Sequence, residues 1–352
     1  MKSVTVTASR GYEVLIGCGL LDEAGERVRA VSKAQTAVIV SGDRVRPLYG
    51  GRVRRSLERA GFRVLNYTLP HGEQHKTLET WGALLNFLCD NHLTRSDLLV
   101  ALGGGVTGDL TGFAAACYQR GCGYVQIPTT LLAMVDSSVG GKTAVDLPGG
   151  KNQAGAFYQP LLVLCDPDTL STLPEEELRC GCAEVIKYGM LGDEGFFESL
   201  RDTPVREQAE AVIERCVTMK RDIVREDEFD TGLRRLLNLG HSFGHAAEKC
   251  SGYTILHGQG VAIGMALITR AAAARGICPP ETVKRLCSLL AACGLPTECP
   301  YGLEEMAEAV LSDKKRSGST MHLVVPEAVG RCRVEAMPLD AAKELLHLGG
   351  VV

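Results

Sequence analysis

The run Leu98-Leu99-Val100-Ala101-Leu102 passes without a break into Gly103-Gly104-Gly105-Val106-Thr107-Gly108-Asp109. An apolar strand that flows into a glycine-rich turn and then a helix belongs to parallel sheets wrapped by helices. Glycines at such a turn let backbone N–H groups approach a pyrophosphate, whose charge the helix N-terminus favours. The G-x-G-x-x-G spacing is weak by itself, because a tight turn below a helix uses the same residues. The dinucleotide fingerprint also wants an acid roughly 20 residues on, near the end of the next strand. Here that strand, Gly123 to Ile127, ends in Pro128-Thr129-Thr130, so a nucleotide site at this turn is of an unusual kind.

The alternation continues on both sides. Candidate strands are Thr36 to Val40, Phe62 to Thr68, Asp97 to Leu102, Gly123 to Ile127 and Leu161 to Cys165, with amphipathic stretches at Tyr49 to Ala60 and Leu78 to Asn91. Val4 to Thr7 and Glu13 to Ile16 predict an N-terminal hairpin. After about Leu170 the texture changes. Pro174-Glu175-Glu176-Glu177 opens a helix with proline in the first turn and acids complementing the dipole. Val205 to Val224, Leu236 to Lys249, Gly258 to Arg275 and Glu281 to Cys293 also read as helical, and His322 to Val325 with Cys332 to Glu335 as a short β pair. At roughly 150 residues per domain, a chain of 352 makes about two. The expectation is an α/β N-terminal domain over residues 1–170, with a Rossmann-like parallel sheet, then a mainly α-helical C-terminal domain over 171–352. The active site is expected in the interdomain cleft.

Lys+Arg 38 against Asp+Glu 42 leaves a formal charge of −4, which argues against a nucleic-acid footprint or a membrane-surface binder but not against a local basic pocket. No apolar run reaches the roughly 18 to 20 residues needed to span a bilayer. The N-terminus lacks the apolar region of a signal peptide, so a cytoplasmic protein is expected. The 14 cysteines contain no C-x-x-C pair and are expected to be free, mostly buried thiols.

Gly140-Gly141-Lys142-Thr143 resembles the end of a P-loop, yet Asp136 stands where that motif needs its first glycine. What remains is Lys142 as a glycine-bracketed donor for phosphate or carboxylate, followed by Lys151-Asn152. His241 and His245 lie at i and i+4 on one helical face, with Glu248 beyond them and His257 where the next helix begins. That spacing suits a metal but lacks the Glu of H-E-x-x-H, which argues against a metalloprotease. Spacing alone does not choose the carboxylate that completes a three-ligand site; Glu184 and Glu248 are both candidates. Glu184 and Lys187 sit among apolar neighbours, where a charged pair needs a partner, ligand or metal.

These blocks occur in one order: His71-Gly72-Glu73-Gln74-His75-Lys76, Gly103 to Gly112, Pro128 to Leu132, Asp136 to Thr143, Gly150 to Pro160, Ala183 to Gly189, Leu237 to Glu248, His257-Gly258 and Asp313-Lys314-Lys315. So arranged, the chain resembles the 3-dehydroquinate synthase family of sugar-phosphate cyclases. The resemblance implies NAD bound through Asp43, His71, Gly72, Glu73, Gln74, His75, Lys76, Gly105, Val106, Thr107, Gly108, Asp109, Thr129, Thr130, Lys142, Lys151, Thr169, Leu170, Ser171 and Thr172. It implies one divalent metal, zinc or cobalt, on Glu184, His241 and His257, with His245 beside the substrate instead of on the metal. Substrate and catalytic contacts would be Asp136, Lys142, Asn152, Lys187, Lys220, Arg234, Asn238, His245 and either Lys314 or Lys315. Arg120 would reach the neighbouring subunit's site in a homodimer.

The implied substrate is a small anionic sugar phosphate, 3-deoxy-D-arabino-heptulosonate 7-phosphate, whose carboxylate and phosphate call for lysines and arginine. The implied reaction is transient oxidation by NAD, phosphate elimination, re-reduction, ring opening and an intramolecular aldol. Rival readings are a sibling cyclase making 2-deoxy-scyllo-inosose or a valiolone, a metal-dependent polyol dehydrogenase, and a non-catalytic NAD or metal sensor. Four residues depart from the commonest family wording: Asp146 for Asn, Gln259 for Glu, Asp230 for Glu and Met134 for Gln.

Overall fold

Thr36–Gly42 and Leu98–Gly103 are buried at every position. Strands with both faces covered read as continuous apolar runs, and that burial is what makes them central strands of a parallel sheet. The computed structural model describes residues 1–314 and 320–352, without the side chains of 312–314. The Lys314 side chain and Lys315 therefore lie outside the described residues.

In chain order the elements are β1 (Lys2–Val6), β2 (Tyr12–Ile16), α1 (Leu20–Val31), β3 (Thr36–Gly42), α2 (Gly51–Arg59), β4 (Arg63–Leu69), α3 (Leu78–Asp90), β5 (Leu98–Gly103), α4 (Gly105–Cys117), β6 (Gly123–Pro128), β7 (Lys142–Leu147), β8 (Gly150–Phe157) and β9 (Leu162–Cys165). There follow α5 (Glu175–Gly192), α6 (Glu194–Asp202), α7 (Ala209–Glu226), α8 (His241–Cys250), α9 (His257–Ala274), α10 (Pro280–Ala292), α11 (Leu303–Lys314), β10 (Thr320–Ala328), β11 (Arg331–Pro338) and α12 (Ala341–Leu348).

The chain divides into two compact units, Met1–Leu173 with Ala209–Phe229, and Pro174–Gln208 with Asp230–Val352. In the first unit seven strands form one sheet in the order β1-β2-β9-β6-β5-β3-β4. Only β1 and β2 pair antiparallel, which is the expected hairpin; the other neighbours are parallel. Val53 and Leu57 of α2 pack with Ile39, Val100 and Leu102 on one face. Leu84 and Leu88 of α3 and Leu110 and Ala114 of α4 pack with Val38, Val40 and Leu99 on the other. Neighbouring strands β3 and β5 thus send their helices to opposite faces, one crossover leading to β4 and the other to β6. Such a reversal opens a crevice at the carboxyl ends of the two strands, where doubly wound sheets bind ligands. Ser41 stands opposite Leu102 in the register, so Asp43 and Gly103–Gly105 both emerge at that end.

A cut near residue 170 does not describe the first unit completely, because α7 belongs to it. Val212, Ile213, Cys216, Val217 and Val224 form its buried stripe, which packs on β1 and on the turn Ala133–Ser137. Helical periodicity marks the stripe but says nothing about which sheet receives it.

The second unit is mainly helical, with the β10–β11 hairpin. The stretch 236–249, which reads as one helix, is instead a 3₁₀ turn at Leu233–Asn238 followed by α8. Gly240 separates them with φ 80, a left-handed conformation natural to glycine. Lys142 and Lys151 prove to lie on a β-hairpin, β7 with β8. All 14 cysteines are free, but only six are buried, fewer than expected. Among the described residues no helix is long and apolar enough to cross a membrane.

Candidate functional site

In the second unit α5 carries Glu184, wholly buried, and one turn later Lys187, whose Nζ lies 2.5 Å from Glu184 Oε2. Two close approaches bring histidines to this carboxylate. A Cβ on Gly258 would stand 2.3 Å from Cys180 Cα and 2.5 Å from Cys180 O, so the start of α9 touches the backbone of α5 one turn before Glu184. Helices α8 and α9 meet through glycines: a Cβ on Gly264 would stand 1.9 Å from Gly240 O, and one on Gly244 2.7 Å from Gly260 O. As a result His241 Nε2 and His257 Nε2 lie 3.5 and 3.3 Å from the same oxygen, Glu184 Oε1.

The other ring nitrogens are engaged. His241 Nδ1 lies 3.1 Å from Leu239 O, and His257 Nδ1 2.9 Å from Glu248 Oε1. With Nδ1–H donated there, each Nε2 is left to face Glu184. Burial drives His241 down to about 3. Burial also pulls on His257, but its hydrogen bonds to the Glu184 and Glu248 carboxylates outweigh that and hold the ring up at about 10.

The ligating atoms of Glu184, His241 and His257 lie within 4.8 Å of one another, and those of His245, Glu248 and His257 do as well. The first set is the better cradle, because Glu248 engages the far nitrogen of His257 at hydrogen-bond length. One carboxylate and two imidazoles suit zinc or cobalt, and three protein ligands leave a position open. His245 stands beside the set, its ring centroid 5.5 Å from that of His241 and 5.9 Å from that of His257. Arg234, 1% exposed, and Asn238 lie on the 3₁₀ turn of the same unit. Two departures are accounted for locally. Gln259 Oε1 accepts from Leu256 N at 2.9 Å, capping α9 as a carboxylate oxygen would. Asp230 has φ 59, a conformation Asp tolerates better than Glu.

The first unit assembles a different set. Lys76, 4% exposed, places Nζ 2.5 Å from Asp109 Oδ2 and 2.6 Å from Asn152 Oδ1. Burial works against its charge, but Asp109 and Glu73 more than offset that and raise its pKa. Asn152, at φ 54, donates its N–H to Asp146 Oδ1 at 2.7 Å, and Asp146 N donates to Lys76 O at 2.8 Å. An amide oxygen at 146 would accept this bond as well. Lys220 of α7 donates to Asp136 O at 2.8 Å and pairs with its carboxylate. Met134 is wholly buried in the same turn as Asp136; nothing in the structure explains its replacing Gln.

At the crevice, Cβ atoms on Gly103, Gly104 and Gly105 would stand 2.6 Å from Thr107 Oγ1, 3.1 Å from Thr130 Cγ2 and 3.2 Å from Ser137 Oγ. Side chains there would crowd their neighbours, and the bare backbone presents the first N–H groups of α4, a cradle suited to a pyrophosphate. Asp43 accepts from His71 Nδ1 at 3.0 Å, a hydrogen bond that holds its carboxyl below the usual range. His71 leads into Gly72 and the short turn Glu73–His75 that contains Gln74. Thr129 N donates to Gly103 O, and the hydroxyl of Tyr49 meets Thr169 O and Thr172 Oγ1, tying Pro167–Thr172 to the sheet. Arg120 is exposed on a turn with φ 68, after Gln119 at φ 48, and makes none of these contacts. Sequence reasoning missed Asp146 and Tyr49 as supports; the only signal for Asp146 was its departure from the usual Asn.

A family model described as 3-dehydroquinate synthase N-terminal matches residues 66–180, and one described as 3-dehydroquinate synthase C-terminal matches residues 181–316. A 3-dehydroquinate synthase of Neisseria meningitidis serogroup B is 47% identical over 343 residues, 95% of each chain. The solved 2-epi-5-epi-valiolone synthase of Streptomyces hygroscopicus subsp. jinggangensis, with NAD+ and Zn2+ bound, is similar with a TM-score of 0.88 at 27% identity over 98% of each chain. A solved 2-deoxy-scyllo-inosose synthase, complexed with carbaglucose-6-phosphate, NAD+ and Co2+, shares the fold with a TM-score of 0.88 at 24% identity, covering 98% of this chain and 99% of that one.

Proposed function

Because the chain belongs to the 3-dehydroquinate synthase family, we infer that it converts 3-deoxy-D-arabino-heptulosonate 7-phosphate to 3-dehydroquinate and phosphate. The observation that carries the site assignment is the convergence of His241 Nε2 and His257 Nε2 on one oxygen of buried Glu184. The first unit is the NAD-binding part, through the Gly103–Gly105 cradle, Asp43 and the Lys76–Asp109 pair. The second unit holds the divalent metal on Glu184, His241 and His257. When bound, the ion supplies a Lewis acid for an alcohol oxygen and the nicotinamide a reversible hydride acceptor.

The chain's own residues do the rest. Lys187 offsets the charge of Glu184, and Lys187 and Arg234 are the two buried cations among the described residues of the second unit. Lys76 and Asp146 orient Asn152, and Asp136 fixes the Lys220 ammonium. His245 stands close enough to the ligand set to move a proton on a bound sugar. A cytoplasmic homodimer in which Arg120 serves the neighbouring subunit completes the reading.

The test is an assay of phosphate release and dehydroquinate formation from the heptulosonate phosphate, with and without chelator and added NAD. Equal amounts of both products are expected, with no net NADH and with turnover lost to the chelator. Steady accumulation of NADH with a polyol would instead make the chain a dehydrogenase. Lys187→Ala is expected to lower kcat/KM by about 100-fold, the scale of one electrostatic donor, without changing the far-ultraviolet circular dichroism. An unchanged kcat/KM removes Lys187 from the site.

A further inference from the structure

Glu248 is 1% exposed, yet nothing in the reaction calls for a second buried carboxylate in this unit. It sits on α8, seven residues after His241 and on the same helical face. Its backbone is pinned, since Ser251 Oγ and Tyr253 N both donate to its carbonyl, at 2.6 and 2.8 Å. Its side chain occupies a slot that exists because residue 260 is glycine: a Cβ there would stand 3.0 Å from Glu248 Cγ and 3.2 Å from Glu248 Oε1. From that slot Oε1 reaches His257 Nδ1 at 2.9 Å. The two histidines of the candidate ligand set are thus treated differently. His241 Nδ1 meets a neutral carbonyl, Leu239 O, at 3.1 Å, whereas His257 Nδ1 meets a carboxylate.

We propose that Glu248 is the positioning residue of His257, accepting its Nδ1–H so that the ring plane and tautomer aim Nε2 at Glu184 and the ring donates more strongly to a cation there. The inference rests on the assignment of Glu184, His241 and His257 as the metal set. Glu248 is not itself a ligand in this arrangement, because it reaches the nitrogen that faces away from Glu184. Carboxylates behind a ligating imidazole raise its basicity, and losing one weakens metal binding by about 10- to 100-fold.

The test is the dissociation constant of Zn2+ and of Co2+, measured on the full chain by competition with a chromophoric chelator, together with the visible absorption of the Co2+ form. Glu184→Ala is expected to lose binding. Glu248→Ala is expected to weaken it by about 10- to 100-fold. In Glu248→Gln the amide oxygen still accepts the Nδ1–H, so most of the affinity returns and the Co2+ band keeps its shape. If Glu184→Ala loses the metal while both Glu248 variants bind like the parent chain, the positioning role is overturned and the ligand set stands. If Glu248→Gln loses the metal as fully as Glu184→Ala and the Co2+ band changes, Glu248 is a ligand and the inference is equally overturned. Parent-like binding by Glu184→Ala overturns the ligand set and the inference with it. Should Glu248→Ala not fold, Glu248→Gln and Glu248→Asp carry the comparison.

Discussion

Glu184→Ala is expected to cost at least about 1000-fold in kcat/KM, roughly 4 kcal/mol of transition-state stabilisation. The carboxylate is wholly buried and is the one group common to both histidine contacts and to the Lys187 ion pair. Its removal takes away a proposed metal ligand and also withdraws a counter-charge from a buried ammonium, a loss on the order of 3 to 5 kcal/mol in stability for buried pairs. Both effects are measurable: turnover at saturating metal, and thermal unfolding with and without metal. The parent chain is expected to melt higher when metal is added, and the variant to show no such rise. Near-normal turnover by the variant in metal-stripped buffer would reject the site.

Gly258→Ala is expected to be almost as damaging, although it removes no chemical group. The new methyl would lie 2.3 Å from Cys180 Cα and 2.5 Å from Cys180 O, both backbone atoms that no rotamer change can move aside. The start of α9 must shift by on the order of 1 Å, and overpacking of this kind costs about 1 to 3 kcal/mol. His257 is the adjacent residue, so the shift carries its Nε2 away from Glu184; a misplacement of about 1 Å at a reacting centre can cost about 100-fold in rate. The expected result is a lower Tm together with a roughly 100-fold fall in kcat/KM, partly restored at high metal concentration. Gly82→Ala provides the contrast. It lies within α3 with nothing within 4 Å of the added Cβ, and is expected to be neutral or stabilising by up to about 1 kcal/mol. Equal behaviour of the two variants would show that the α5–α9 approach does not govern the site.

The parallel sheet was legible because its signal is local. Strands β3, β5 and β6 are short apolar runs closed by glycine or proline, and the burial that explains them is written into each run separately. The helix reading failed at Leu236 to Lys249 because apolar periodicity continues across Leu239-Gly240, where only the left-handed φ of Gly240 breaks it. The β7–β8 hairpin was hidden for a related reason. Its glycine-rich segments carry little apolar alternation, and the pairing of Lys142 with Phe157 is a long-range fact.

The candidate site divides in the same way. Which residue types are present, and in what order, is a property of the covalent sequence, and the ordered motifs from His71 to Lys315 were enough to indicate the family. The sequence could not say which nitrogen of His257 faces Glu184, that Glu248 stands behind that ring, or that Lys76 joins Asp109 to Asn152. Those relations depend on separate elements being packed together: α8 on α9 for Glu248 and His257, and the Glu73–His75 turn, α4 and β8 for Lys76, Asp109 and Asn152. Hydrogen bonds and ion pairs act over about 3 Å, whereas sequence motifs record only spacing along one segment. The tertiary packing of Gly258 on Cys180, and of Gly240 and Gly244 on α9, turned three separate motifs into one cluster of donors.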